Sequence, residues 1–268
     1  MSTSIAFIGG GNMATAMVKG LAGLRPAPRI TVSEPDAAKH ASLQTLGAFT
    51  TSDNAEAVAG AQLVVLAIKP QMAATVVPGL AAGWSSDKVL VSILAGMPSA
   101  KLEALLPAGA RVIRAMPNTP LAIGQGMVGL CRGRHASEAD LAAAEGLFAP
   151  CGKVLRVGDE KRMDAITAVS GSGPAYVFRF AEALLAGARS LGFSDDEAAL
   201  LVGQTLSGST AYLLAQGVGQ AGKLREQVTS PGGTTAAALK VVDAADLTGI
   251  WTRALAAAEA RGQELGRG

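Results

Sequence analysis

From residue 4 to residue 116 the chain alternates short apolar runs with segments at helical spacing, and few folds can accept that rhythm. The runs cover residues 4–8, 30–33, 63–68, 89–93 and 112–116, and each is bounded by Gly, Pro or polar residues. The intervening segments 13–24, 35–46, 71–80 and 99–105 place apolar residues at helical intervals. This pattern predicts a parallel sheet covered on both faces, because continuous apolar strands belong where neither face meets water. Two further strands, 126–130 and 153–157, flank a helix that starts at the capping pair Ser137 and Asp140.

After Gly158 the apolar runs stop and helical spacing takes over, in segments 164–169, 174–191, 195–214, 235–242 and 247–265. Ser194 with Glu197 gives a second capping box, and Pro174 suits the first turn of a helix. The expected boundary therefore falls between residues 158 and 159. An α/β domain, 1–158, precedes an all-helical one, 159–268.

The first run leads into Gly9-Gly10-Gly11-Asn12-Met13-Ala14, which fits G-x-G-x-x-[GA] at a strand-to-helix turn. The first Gly permits the tight turn, the second lets backbone amides approach a pyrophosphate, and the small Ala14 lets the helix pack on the strand. The phosphates would rest on unpaired N–H groups at the positive end of the helix. Glu34 follows Ser33 about twenty residues on, where an acid can bind the adenosine ribose diol. That placement favours NAD over NADP, whereas Ser33 and Lys39 could serve a phosphate.

Composition removes other classes. The chain of 268 residues is 49% apolar and 16% charged, with a net charge of +2 and no Lys/Arg run. Disorder, a nucleic-acid groove and a polybasic membrane patch are thereby excluded. The two cysteines, Cys131 and Cys151, and two histidines, His40 and His135, lack metal-ligand spacing. The unpaired thiols suit a reducing cytoplasm, and the first ten residues lack the pattern of a signal peptide. Residues 198–222 are free of charge, but polar residues and glycines interrupt them. They are expected to form a helix buried on most sides, with a subunit contact as one way to bury it, and then a loop. Gly203, Ser207, Ala211 and Ala215 recur every four residues, which suits either close approach of a second helix or an ordinary Ala-rich core helix.

More unusual strings complete the pattern. Ala67-Ile68-Lys69-Pro70, Ser92-Ile93-Leu94-Ala95-Gly96 and Arg114-Ala115-Met116-Pro117-Asn118-Thr119-Pro120 each end a strand. Ser170-Gly171-Ser172-Gly173-Pro174-Ala175-Tyr176 and Thr229-Ser230-Pro231-Gly232-Gly233-Thr234-Thr235 each precede a helix in the second half. In this order and spacing, from about residue 5 to residue 264, the set resembles the pyrroline-5-carboxylate reductases, which make proline.

The resemblance implies a Rossmann-type parallel-sheet domain followed by an all-α dimerisation domain, whose dimers assemble into decamers in the family. It implies NADPH or NADH as cofactor. The phosphates would meet Ile8, Gly9, Gly10, Gly11, Asn12 and Met13, and the adenosine end would meet Asn54. Ala67, Ile68, Lys69, Pro70, Ala95 and Gly96 match segments near the nicotinamide. Thr167 matches a family position that donates a proton or orients the substrate; a neutral Thr is a poor acid, so orientation comes first.

The residues themselves suggest the rest. The loops at 170–173 and 230–233 offer amides to a small carboxylate, or serve only as helix starts. Ser230, Gly232, Gly233, Thr234 and Thr235 are the expected substrate contacts, with the Thr235 hydroxyl near the ring nitrogen. Asn118 and Lys69 are placed to fix the substrate or the nicotinamide amide. The reaction is hydride transfer to a cyclic C=N bond. A protonated imine is already electrophilic, so the lack of a His, Cys or carboxylate cluster is no obstacle. A β-hydroxyacid dehydrogenase would need a Lys where the chain has Ser170 to Tyr176. A non-catalytic nucleotide-binding scaffold would not need the second glycine turn.

Overall fold

The computed structural model describes residues 3–267. Eight strands form one sheet in the order β3-β2-β1-β4-β5-β6-β7-β8. They are β1 (Ser4–Ile8), β2 (Arg29–Ser33), β3 (Phe49–Thr51), β4 (Leu63–Leu66), β5 (Val89–Ser92), β6 (Arg111–Pro117), β7 (Gly126–Arg132) and β8 (Gly152–Val157). The first six run parallel, in the Rossmann order. β7 is antiparallel to β6 and carries β8 with it, so the expected parallel sheet is extended by a mixed edge. The physical reason is the short connection: only residues 118–125, which include the turn Thr119–Ile123, separate β6 from β7, too little chain for a parallel crossover.

The helices of this part are α1 (Asn12–Ala22), α2 (His40–Thr45), α3 (Asn54–Ala59), α4 (Ala73–Val76), α5 (Ser99–Leu105), α6 (Glu138–Phe148) and α7 (Arg162–Ile166). The strands alternate their side chains between two cores. Ile5 and Phe7 of β1 enter one with Met17, Leu21, Leu147 and Phe148. Ala6 and Ile8 enter the other with Val58, Leu80, Leu90 and Leu102. The two continuous apolar strands β4 and β5 are buried at every residue.

Three local expectations change. The segment 71–80 is not one helix but a 3-10 turn, α4 and a second 3-10 stretch, Val77–Gly83. Pro78 lacks the N–H that an α-helix needs there, and β-branched Thr75, Val76 and Val77 precede it. The segment 35–46 likewise breaks into the turn Ala37–Lys39, which Asp36 caps, and α2. The expected loop at 170–173 is helical. A π-helical turn, Thr167–Gly171, joins α7 to α8 (Gly173–Ser190), and the Ser172 amide bonds the Thr167 carbonyl at 2.8 Å. Gly171 lies against β6, where a Cβ would come within 2.5 Å of the flexible end of Met116.

The remaining helices are α9 (Asp195–Gln216), α10 (Ala221–Gln227), α11 (Thr234–Ala244) and α12 (Leu247–Arg267). Both expected capping boxes form, Ser137 with Asp140 and Ser194 with Glu197. The chain divides into two compact units after Pro174, and from Leu255 onward it rejoins the first. The expectation divided it after residue 158. The difference arises because α7 and the π turn pack on β6 and β7 through Ile166, Met116 and Gly129, and the end of α12 packs beside them. The second unit is Ala175–Ala254. Within it α9 is mostly exposed in the single chain, with only Ala198 and Val202 buried, so the expected burial on most sides is left to a subunit contact. Leu200, Leu201, Tyr212 and Leu214 of α9 and Phe178 and Phe180 of α8 are exposed as well. Among the described residues α9 is the one helix long and apolar enough to cross a membrane.

Candidate active site at the carboxyl edge of the sheet

Parallel strands bring their carboxyl ends to one edge, and ligands of such sheets bind there. At the end of β1, Gly9 adopts φ +98°, a left-handed conformation that costs other residues about 1–2 kcal/mol. A Cβ on Gly9 would also stand 2.6 Å from the Ala67 carbonyl oxygen. Gly9 donates its amide to Ser33 and the Ala67 amide bonds Ile8, so the turn is fastened to the ends of β2 and β4. A Cβ on Gly11 would meet no protein atom within 4 Å. Gly11 is the N-cap of α1, with no side chain capping the helix and no acid in its first turn. The first-turn amides therefore have no helix partner and face outward at the positive end of the dipole. Ala14 is fully buried against the sheet, as a small third residue requires. The chain's own residues thus fit a pyrophosphate.

Glu34 closes the other side of the turn. Its Oε2 accepts the Gly10 amide at 2.8 Å, and its Oε1 accepts the Asp36 amide at 3.1 Å and Lys39 Nζ at 3.4 Å. Burial pushes its pKa up, but the Gly10 and Asp36 amides and the Lys39 charge outweigh that and hold it below the ordinary 4.5. His40 Nε2 lies 2.7 Å from the Glu34 carbonyl oxygen, and this histidine is half-buried. Ser33 Oγ donates to Asn54 Oδ1 at 2.7 Å. The structure therefore gathers Gly9, Gly10, Gly11, Ser33, Glu34, Asn54, Ala67 and Ile68 at one place.

Lys69 is exposed, without a capping bond, at the start of the turn Pro70–Met72. Asn118 is buried, and its amide is spent within the protein. Nδ2 donates to the Ser170 carbonyl at 3.2 Å and Oδ1 accepts the Met127 amide at 2.9 Å. It fastens the π turn to the end of β6. Thr167 opens that turn and donates its hydroxyl to the Met163 carbonyl at 2.8 Å. Its proton is thereby committed, and the oxygen lone pairs remain to accept.

Residues 230–235 belong to the second unit. Gly232 has φ +70°, and the Gly233 amide closes a turn on the Ser230 carbonyl at 3.0 Å. No side chain caps α11 at Gly233, which leaves its first-turn amides to a ligand or to solvent.

One group of charges shows in no local sequence pattern beyond that of a single residue. Arg114, in the middle of β6, reaches Asp164 Oδ1 at 2.7 Å and Glu160 Oε1 at 3.4 Å with its side chain 6% exposed. The available signal was an arginine inside an apolar strand. Removing it would leave Asp164 without its cation and Glu160 with only its Ser99 hydrogen bonds.

The glycine turn, its free helix start and the acid beyond β2 define a dinucleotide-binding protein of the Rossmann type. Residues 4–96 match the family model for NADP oxidoreductases, coenzyme F420-dependent, and residues 160–265 match that for pyrroline-5-carboxylate reductase dimerisation. The pyrroline-5-carboxylate reductase of Haemophilus influenzae is 40% identical over 97% of each chain. The solved Coxiella burnetii pyrroline-5-carboxylate reductase is 36% identical with a TM-score of 0.89 over 99% of each chain. That of Plasmodium falciparum, solved with NADP bound, is 28% identical with a TM-score of 0.86 over 98% of each. The chain belongs to the pyrroline-5-carboxylate reductase family and is an NAD(P)H-dependent oxidoreductase.

Glu34 makes stability depend on pH in one direction. Its folded pKa lies below the unfolded value, so its contribution is complete above about pH 4.5 and is lost as pH falls through the folded value. Thermal melts from pH 6 to pH 3 should show the parent more stable than Glu34→Gln at the upper end, with the gap closing on acidification. A gap independent of pH would mean that the carboxylate charge does not hold the turn.

Proposed function

We propose that the chain reduces the ring C=N bond of 1-pyrroline-5-carboxylate to L-proline at the carboxyl edge of its sheet. The observation that carries this reading is the Gly9 to Met13 turn, with its uncapped helix start and the open side of Gly11. The backbone amides of Gly11, Asn12 and Met13 hold the pyrophosphate, while Gly9 and Gly10, whose amides are held by Ser33 and Glu34, let it approach closely beside Ile8. Ser33, Glu34 and Asn54 take the adenosine ribose. Ala67, Ile68, Lys69, Pro70, Ala95 and Gly96 line the nicotinamide half. When bound, the nicotinamide supplies the hydride that goes to the imine carbon while the ring nitrogen keeps its proton.

The uncapped start of α11 binds the substrate carboxylate through Gly232, Gly233, Thr234 and Thr235, with Ser230 closing the turn. The Thr235 hydroxyl meets the ring nitrogen. Thr167, whose proton is held by Met163, accepts a hydrogen bond and orients the substrate rather than acidifying it. Asn118 acts by holding Ser170 in place. This division of labour asks for placement rather than for a strong acid, which suits a protonated imine.

The chain works as a homodimer, with a decamer as the larger assembly. The exposed apolar residues of α8 and α9 support this, since patches of that kind mark protein contacts. The buried unpaired Cys131 and Cys151 suit a cytoplasmic setting.

Three measurements test these roles. Thr235→Val should lower kcat/KM for the imine about tenfold, the worth of one hydrogen bond, with cofactor KM and thermal stability nearly unchanged. Parental kinetics would remove Thr235 from the site. Glu34→Ser should raise the NADPH:NADH ratio of kcat/KM about tenfold, because a carboxylate repels a 2′-phosphate. An unaltered ratio would take Glu34 off the ribose. Light scattering on a sizing column should give at least twice the 26.8 kDa chain mass at micromolar concentration, and a monomer would overturn the assembly.

A further inference from the structure

An arginine between the buried Ile113 and Ala115 needs a reason, and a salt bridge alone is a poor one. Buried ion pairs add little stability over apolar packing, but they fix geometry. The guanidinium of Arg114 is forked between Glu160 and Asp164, and each carboxylate leads to a different part of the active site.

Glu160 clasps the start of α5. It accepts the Ser99 amide at 2.7 Å and the Ser99 hydroxyl at 2.6 Å. Ser99 stands three residues beyond Gly96, which has φ +68°. The same turn is covered by the end of α12: a Cβ on Gly96 would stand 2.8 Å from Leu265 Cβ, and one on Gly266 would stand 3.0 Å from the Gly96 carbonyl oxygen. Asp164 supports that helix end too, since a Cβ on Gly262 would lie 3.3 Å from Asp164 Cβ. Asp164 also lies one helical turn before Thr167.

We propose that Arg114 is a positioning residue for hydride transfer, holding the Gly96 turn in register with the Thr167 turn through Glu160 and Asp164. This rests on the reading that places the nicotinamide at Ala95 and Gly96 and the substrate at Thr167. Arg114 touches neither reactant. It sets the separation of the two elements that do, and an error of about 1 Å there can cost a hundredfold in rate. Lysine cannot replace it, because a single ammonium does not span both carboxylates as a planar fork does.

The test pairs Arg114→Lys with Ser99→Ala. The second variant keeps all three charges and the backbone bond, and so it carries the test if the first does not fold. Steady-state kinetics with protiated and 4-deuterated reduced cofactor should show kcat lowered about tenfold in Arg114→Lys and about threefold in Ser99→Ala. Both KM values should stay within twofold, and the primary isotope effect should rise. A loss of melting temperature with parental kcat and isotope effect in the folded variants would overturn the proposal and leave a structural cross-link.

A fluorine label at Ala95→Cys separates this from the cofactor reading, since the native Cys131 and Cys151 are buried. Its resonance should move with NADH but not with ADP-ribose. An equal response to both would overturn the cofactor reading, and the positioning role with it. A selective response without the kinetic change would overturn the positioning role alone.

Discussion

The approach of Gly9 to the Ala67 carbonyl governs the rest of the molecule's chemistry. Any side chain at residue 9 would push the ends of β1 and β4 apart at the point where the sheet offers its ligand edge. With that contact made, the start of α1 is fixed over the sheet, Ala14 seals it from below, and the first-turn amides point outward. Glu34 then folds back onto Gly10 and draws in Lys39 and the chain at Asp36. A buried carboxylate is costly unless it is hydrogen-bonded. Here the amides that satisfy it belong to the nucleotide turn itself, so the same bonds that stabilise Glu34 also shape the site.

In the proposed site few acids and bases stand where they could act on the substrate, and hydride transfer to a protonated imine does not call for them. A C=N bond that already carries a proton needs a donor placed at the right distance and angle. The polar groups near the end of β6 are used accordingly. Asn118 spends its amide on Ser170 and Met127, and Thr167 spends its proton on Met163. The π turn between them is a geometry often found at functional sites, because it turns side chains off the regular helical track.

Much of this was legible in the residues. The parallel core, the glycine turn, the acid after β2 and both capping boxes follow from local patterns whose physics is local. Short elements were not legible. β3 holds three residues, Phe49 to Thr51, and α3 and α10 are too brief to show a period. The reversal of β7 depends on connection length rather than on the strand's own composition. The π turn was hidden because Ser170 to Gly173 has the composition of a loop, and tertiary contact with Met116 and Asn118 decides otherwise. The Arg114 group joins residues from β6, α5 and α7, far apart in sequence, and no local pattern reports such a meeting. The roles of residues 230–235 rest on the uncapped helix start and on the family resemblance.

The end of α12 has a consequence for the order in which the protein is built. Gly96 is covered by residues 262–266, and these are made only after the whole second unit has been translated. The sheet and both its cores can assemble earlier, on the nascent chain. The turn at Gly96 cannot acquire its cover until then, and closing so long a stretch of chain is slow. A truncated product would keep a complete sheet and a nucleotide turn, yet its Gly96 turn would stand bare.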